Sequence, residues 1–233
     1  MKKTLHSKLI KMMAFLFMII PLLSPLSSQA QKEGDVPQRF FVDFKNASLV
    51  YIPETEVLQI AAQNNVLFSG SDWEKCQLKP YLYHFRHKNW KDFYWKVNTG
   101  QKKVYRITKG TFCQLGGRVQ RLKITVDVVG GGSAKIPPTR FVLHFSNASL
   151  VYTPASKNLN LAAEGDVLTY GKEWKKCNVN HATYHFKQNS WENIYWSVNT
   201  DNSIAHRIRN ADAFCSPDTF PSEPLNVGIR IVK

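Results

Sequence analysis

Two histidines are the groups best suited to chemistry in this chain. His84 and His185 each sit in Tyr-His-Phe, and Tyr94 and Tyr195 follow in matching Tyr-Trp-x-Val-Asn-Thr segments. An imidazole beside a base on an open strand can hold an anion or shuttle a proton; Arg86 and Lys187 lie two residues beyond the two histidines. If Tyr83 and Phe85 face a core, period-two alternation sends His84 outward with Arg86, and His185 likewise with Lys187. The same alternation sends Tyr94 outward. His84, Tyr94, His185 and Tyr195 therefore form a candidate duplicated site, set against the plainer reading of solvated strand residues.

Other chemistries find less material. General acid–base hydrolysis asks for positioned carboxylates, often two. Between positions 101 residues apart, an acid meets an acid only at Asp72 and Glu173; Asp43 meets His144, Glu54 meets Ala155, Glu56 meets Lys157, Glu74 meets Lys175 and Asp92 meets Asn193. Asp72 and Glu173 read more simply as acids opening a one-turn helix before a cysteine. Ser48 and Ser149 fall in expected turns, and Asn46-Ala47-Ser48 and Asn147-Ala148-Ser149, which match glycosylation acceptors, are read as turns too. Zinc asks for several recurring His, Cys or acid ligands, and these do not recur. No metal and no cofactor is expected.

Charge points to a binding role. Residues 39–129 carry 15 basic and 7 acidic side chains, whereas residues 140–233 carry 10 and 8. Most of the excess lies in Arg86–Lys123, where eleven Lys or Arg meet the single acid Asp92; residues 187–226 hold three basic and five acidic side chains. Such asymmetry suggests an anionic partner. The expected contacts are Arg86, Lys88, Lys91, Lys96, Lys102, Lys103 and Arg106. An anionic polysaccharide, a lipid head group or an acidic protein fits this pattern, nucleic acid less well. The alternative is a solvated face that serves solubility.

A repeat must position these residues. A shift of 101 aligns residues 39–107 with 140–208 at 30 identities in 69 positions without a gap, which reads as a tandem duplication. The cysteines fall at equivalent places, so the expected pairs are Cys76 with Cys113 and Cys177 with Cys215. Such loops could each contribute about 3–4 kcal/mol on the chain-entropy account. Residues 1–30 read as a signal peptide: lysines at 2, 3, 8 and 11, an apolar run from Met12 to Leu23, and Ser28-Gln29-Ala30 as the cleavage site. Removal takes the formal charge from +14 to +10. Residues 31–129 are the first repeat domain, 130–138 a Gly/Pro linker and 139–233 the second, each expected to carry its own core.

Within a repeat, alternation at Phe40, Val42 and Phe44, at Phe93, Trp95 and Val97, and at Leu122, Ile124, Val126 and Val128 argues for strands with one buried face. The expected fold is mostly β: two tandem homologous β-sandwich or barrel-like domains with one disulfide each. The alternative is α+β, with short helices at residues 59–63 or 71–76. Trp73, Trp90 and Trp95, with Trp174, Trp191 and Trp196, read as core rather than as stacking platforms for sugars. The leading expectation is a secreted or periplasmic non-catalytic binding protein. A hydrolase or transferase centred on histidine, and a structural subunit of the cell envelope, are the alternatives.

Overall fold

A computed structural model describes residues 36–131, 135–218 and 220–233. The expected leader and residues 132–134 of the glycine-rich joint lie outside them. The chain from Val36 onward forms one compact unit. Its first half contributes β1 (Arg39–Phe44), β2 (Ser48–Ile52), β3 (Val57–Ala62), β4 (Asn65–Phe68), β5 (Trp73–Lys79), β6 (Leu82–His87), β7 (Phe93–Asn98), β8 (Lys103–Thr108), β9 (Arg118–Arg121) and β10 (Thr125–Val129). The second half repeats this order with β11 (Arg140–His144), β12 (Ala148–Thr153), β13 (Asn158–Ala163), β14 (Asp166–Thr169), β15 (Trp174–Asn178), β16 (Thr183–Gln188), β17 (Tyr195–Asn199), β18 (Ile204–Ile208), β19 (Ser222–Pro224) and β20 (Val227–Val232).

The strands form four five-stranded antiparallel sheets, ordered β14-β13-β12-β1-β20, β10-β11-β2-β3-β4, β15-β16-β17-β18-β19 and β5-β6-β7-β8-β9. The α+β alternative is not realised. Residues 59–63 lie mainly in β3, and residues 71–76 are a turn entering β5. Among the described residues the only helix is the single 3-10 turn Ala211–Ala213. Alternating burial in β1 and β3 explains the outcome: a strand hides every second residue, so Leu58, Ile60 and Ala62 reach the core together, which a helix would not allow. Ser48 and Ser149 likewise stand in β2 and β12, and only the asparagines before them lie in the preceding turns.

The two halves exchange their first strands. β1 pairs with β12 of the second half, and β11 pairs with β2 of the first. Each visiting strand is interior to its new sheet: β20 flanks β1 on its other side, and β10 flanks β11. The rings follow the backbone. Phe40 lies 4.8 Å from Tyr184 and Phe44 5.7 Å from Trp196, while Phe141 lies 5.0 Å from Tyr83 and Phe145 6.0 Å from Trp95. Each facing pair of sheets therefore encloses a core with residues of both halves, and the expectation that each repeat carries its own core meets a different arrangement. Segment 45–47 carries the chain out of one sheet and into the other, where a tight hairpin would have kept β1 beside β2.

Reciprocal polar contacts lock the exchange. Trp73 and Trp90 donate their indole N–H groups to the carbonyls of Leu168 (3.1 Å) and Val167 (2.8 Å); Trp174 and Trp191 donate to Leu67 (3.2 Å) and Val66 (3.0 Å). Arg106 Nη2 donates to the Glu164 carbonyl at 3.0 Å, and Arg207 Nη2 to the Gln63 carbonyl. All six tryptophans are buried, as expected of core residues. Trp73, Trp90, Trp174 and Trp191 have a second duty: each indole fills apolar space while its N–H satisfies a strand carbonyl that would otherwise be buried without a donor. The asparagines of Asn-Ala-Ser close the β3–β4 and β13–β14 turns, Asn46 Oδ1 accepting from Gln63 N (3.2 Å) and Asn147 Oδ1 from Glu164 N (2.6 Å).

Cys76 bonds Cys113 and Cys177 bonds Cys215, as their spacing predicted. Each disulfide ties an edge strand, β5 or β15, to the loop after β8 or β18.

Two outcomes test this architecture. Residues 36–129 produced alone lack β11 between β10 and β2, so they should show neither near-ultraviolet circular dichroism of packed rings nor a cooperative thermal transition. Mixing with residues 139–233 should restore both in a one-to-one complex. A well-folded monomeric half would contradict the exchanged cores. Removing Asp166, whose carboxylate bonds Trp95 Nε1 (2.8 Å) and pairs with Arg106 (2.6 Å) in a largely buried position, should destabilise by about 3–5 kcal/mol in urea unfolding of Asp166→Ala.

Candidate functional site

The alternation argument placed His84, His185, Tyr94 and Tyr195 at the surface, and burial corrects this. His84 is 1 % and His185 3 % exposed; Tyr94 and Tyr195 are equally hidden. These residues do point away from the aromatic core, but the disulfide loop covers that side as well. Phe112 lies 6.3 Å from the His84 ring and 5.6 Å from Tyr94; Phe214 makes the same pair of contacts with His185 and Tyr195. Each histidine rests 4.7 Å from its tyrosine and stands directly across the ladder from a disulfide cysteine, Cys76 or Cys177. A second layer only one loop thick thus buries both faces of β6 and β16, which alternation alone does not reveal.

The chemistry of these clusters is that of a small core. Burial lowers the His84 imidazole to about 4, with Lys96 adding to the effect, and burial alone lowers His185 to about 4. Neither His84 nitrogen has a hydrogen-bond partner, while His185 Nδ1 accepts from the Cys215 amide at 3.3 Å. The Tyr94 hydroxyl donates to the Thr111 carbonyl at 3.2 Å. Both imidazoles are neutral at physiological pH and closed to an incoming substrate.

The seven predicted cationic contacts divide into three groups. Arg106 is structural: its partners are Asp166, the Glu164 carbonyl and, at 5.5 Å, the Phe93 ring. Arg86 pairs with Glu74 at 2.5 Å and lies 4.5 Å over Phe112, and Lys88 pairs with Asp72 at 3.5 Å. Asp72 therefore does not open a helix; it serves the turn before β5, as Glu173 does by accepting from Gln188 at 3.2 Å. Lys91, Lys96, Lys102 and Lys103 have no carboxylate partner among the described residues.

Two features collect this charge. Strand register places Lys96 beside Tyr105, and Tyr105 beside Arg121, on the outer face of the β5–β9 sheet; Lys103 lies on the same face. Lys96 Nζ lies 5.0 Å from the Tyr105 ring centroid. The corresponding face of the β15–β19 sheet carries Ser197 for Lys96, Ile204 for Lys103, His206 for Tyr105 and Pro224 for Arg121. Beside this face, an open groove of about 610 Å³ is lined by Arg86, Lys91 and Lys109 with the single acid Asp92, next to Phe93 and Tyr94. Arg121 and Lys109 were not among the predicted contacts, although both lie in the counted run of basic residues.

Sequence reasoning also missed Asp166, because its matched residue is Asn65 and only recurring acids were weighed. Burial pushes its carboxyl above the usual carboxylate value, against the pull of Arg106 and Trp95. The first half has no such carboxylate at Asn65, and Trp196 Nε1 is buried without a hydrogen-bond partner. His87 was missed for the same reason. It is 1 % exposed, accepts from the Asn89 amide through Nδ1 at 3.1 Å, and lies 5.6 Å from Tyr170. Gln188 occupies its place in the second half and accepts from the Ser190 amide.

No group of His, Cys, Asp and Glu among the described residues is arranged to hold a metal ion. No described helix is long and apolar enough to cross a membrane. No family model matches the chain, and neither a curated protein nor a solved structure matches it.

The buried imidazoles predict an acid-sensitive fold. An unfolded histidine binds a proton near pH 6.5, whereas the folded pair resists protonation until about pH 4. Between these values the unfolded chain holds more protons, so stability is full above pH 6.5 and falls as pH drops to 4, by about 3 kcal/mol for each histidine. Urea unfolding at pH 7 and pH 4.5 should show this loss. It should shrink in a variant carrying His84→Phe and His185→Phe; an unchanged pH dependence would assign the acid sensitivity to other groups.

Proposed function

We propose that this chain is an exported, non-catalytic binding protein whose first half holds an anionic partner. Lys96, Lys103 and Arg121 on the outer face of the β5–β9 sheet, with Lys91, Lys109 and Arg86 in the adjoining groove, make the contact. One observation carries this reading. Two sheets built to the same plan, with the same disulfide and the same buried histidine, differ on their outer faces chiefly in charge. The shared requirements of folding do not call for Lys96, Lys103 or Arg121, since Ser197, Ile204 and Pro224 serve equally well at those places. A cationic surface of this kind raises the local concentration of anions and speeds encounter, with a strength that depends on salt.

Two disulfides and the lysine-rich apolar leader support an oxidising, extracytoplasmic location. The tandem duplication supports the reading as well, since it supplies a second scaffold on which one face can specialise while the other does not. A hydrolase centred on His84 or His185 draws no support from this geometry, because both imidazoles are enclosed by rings and a disulfide loop.

Charge reversal tests the face. The variant Lys96→Glu, Lys103→Glu and Arg121→Glu should keep the wild-type unfolding temperature, since these side chains are exposed or half-exposed. It should also lose at least tenfold in affinity for an anionic ligand found in a panel of acidic polysaccharides, anionic vesicles and acidic proteins at physiological salt. Unchanged affinity, or binding to every anion alike that vanishes with modest salt, would reduce the face to a solubility feature.

A further inference from the structure

The second half, nearly neutral overall, contains a cationic pocket of its own. About 440 Å³ in volume, it lies between the start of β13 and the connection into β15, and Lys157, Asn158, Asn160, Tyr170, Lys172 and Lys176 line it. No acid contributes to the lining. Asp72 and Glu173, which line neighbouring clefts beside Tyr170 and Lys172, are already engaged, Asp72 with Lys88 and Glu173 with Gln188. Among the described residues Lys157 and Lys172 have no ion-pair partner, and no hydrogen bond uses the side chains of Asn158 or Asn160. Lys176 is held toward the pocket by donating to the Gly171 carbonyl at 3.3 Å, and partial burial lowers its ammonium below the ordinary lysine value. Gly171 has φ 47° and passes so close to β13 that a Cβ there would stand 2.6 Å from the Leu159 carbonyl oxygen. Glycine alone lets the connection lie flat enough to bring Tyr170 and Lys172 beside Lys157.

The first half does not repeat this lining. Glu56 stands for Lys157, Ser69 for Tyr170 and Ser71 for Lys172. Lys75 alone remains of the three lysines, and it is engaged with the Glu56 carbonyl at 2.9 Å. Lys157, Lys172 and Tyr170 therefore belong to this half and are not requirements of the shared fold.

We infer that this pocket is a second anion site, independent of the basic face in the first half, and that it takes an acidic saccharide. Tyr170 presents a ring 39 % exposed, propped from below by His87, which gives a flat surface for the C–H face of a pyranose. Lys157 and Lys172 reach a uronate carboxylate, and the two asparagine amides offer donors and acceptors to hydroxyl groups. A lipid surface fits less well, because none of the other exposed large apolar side chains lines the pocket. A nucleic acid strand asks for several rings in succession, and here there is one.

The test uses the exported chain carrying Lys96→Glu, Lys103→Glu and Arg121→Glu, so that failure of the first-half face and failure of this pocket are separable. Titration calorimetry with tetragalacturonate at physiological salt should show one site. Adding Tyr170→Ala, or Lys157→Glu with Lys172→Glu, should each weaken binding at least tenfold without lowering the unfolding temperature, since all three side chains are exposed. Equal binding of a neutral glucose tetramer, equal binding of inorganic sulfate or an anionic vesicle, no binding at all in this background, or indifference to both sets of substitutions would overturn the proposal.

Discussion

Exchange of β1 and β11 between the halves is the constraint on which the rest of the molecule depends. Each of these strands is fully paired on both edges, and each brings a Phe-x-Val or Phe-x-Leu face into the partner half's core. Moving either out would open two ladder edges and strip Phe40 or Phe141 from its rings, exposing backbone groups that bond nowhere else. The indole-to-carbonyl bonds of Trp73, Trp90, Trp174 and Trp191 depend on the same placement, because their acceptors lie in β4 and β14 of the opposite half. Strand exchange and tryptophan placement thus reinforce one another.

This constraint sorts the side chains. Positions that serve the exchange are alike in both halves: the six tryptophans, Arg106 and Arg207, Asn46 and Asn147, and the glycines at 70 and 171 that run close against Leu58 and Leu159. Positions outside it are free to differ, and the difference falls where solvent begins. The outer face of the β5–β9 sheet becomes basic, while the turn before β13 gains Lys157 and the connection into β15 gains Tyr170 and Lys172. Two cationic surfaces of different shape then stand on one scaffold, one open and flat, the other a pocket with a ring. Asp166 shows the converse: this carboxylate of the second half anchors Trp95 inside the interlocked core, whereas the first half carries Asn65 at the matching place and Trp196 Nε1 has no hydrogen-bond partner.

The histidines show how buried polar groups mislead. Tyr-His-Phe on a strand reads as core, solvent, core, and the structure agrees about direction. It differs about what lies there, since the disulfide brings Phe112 or Phe214 down over the imidazole. Desolvation then keeps the ring neutral, and a residue type often used for proton transfer becomes packing.

The amino-acid sequence by itself determined the mostly β character, the disulfide pairs, the internal repeat and the location of the excess charge. These are properties of period, spacing and composition that local chain geometry reads out directly. Tertiary structure alone decided which strand joins which sheet, whether His84 and Tyr94 meet solvent, that Arg106 is bound inward by Asp166, and that Lys157 and Lys172 share a pocket. The physical reason is common to all four. Alternation specifies a direction relative to one sheet, whereas burial and pairing depend on what a distant segment places opposite, and two halves of similar sequence offer each strand two candidate partners.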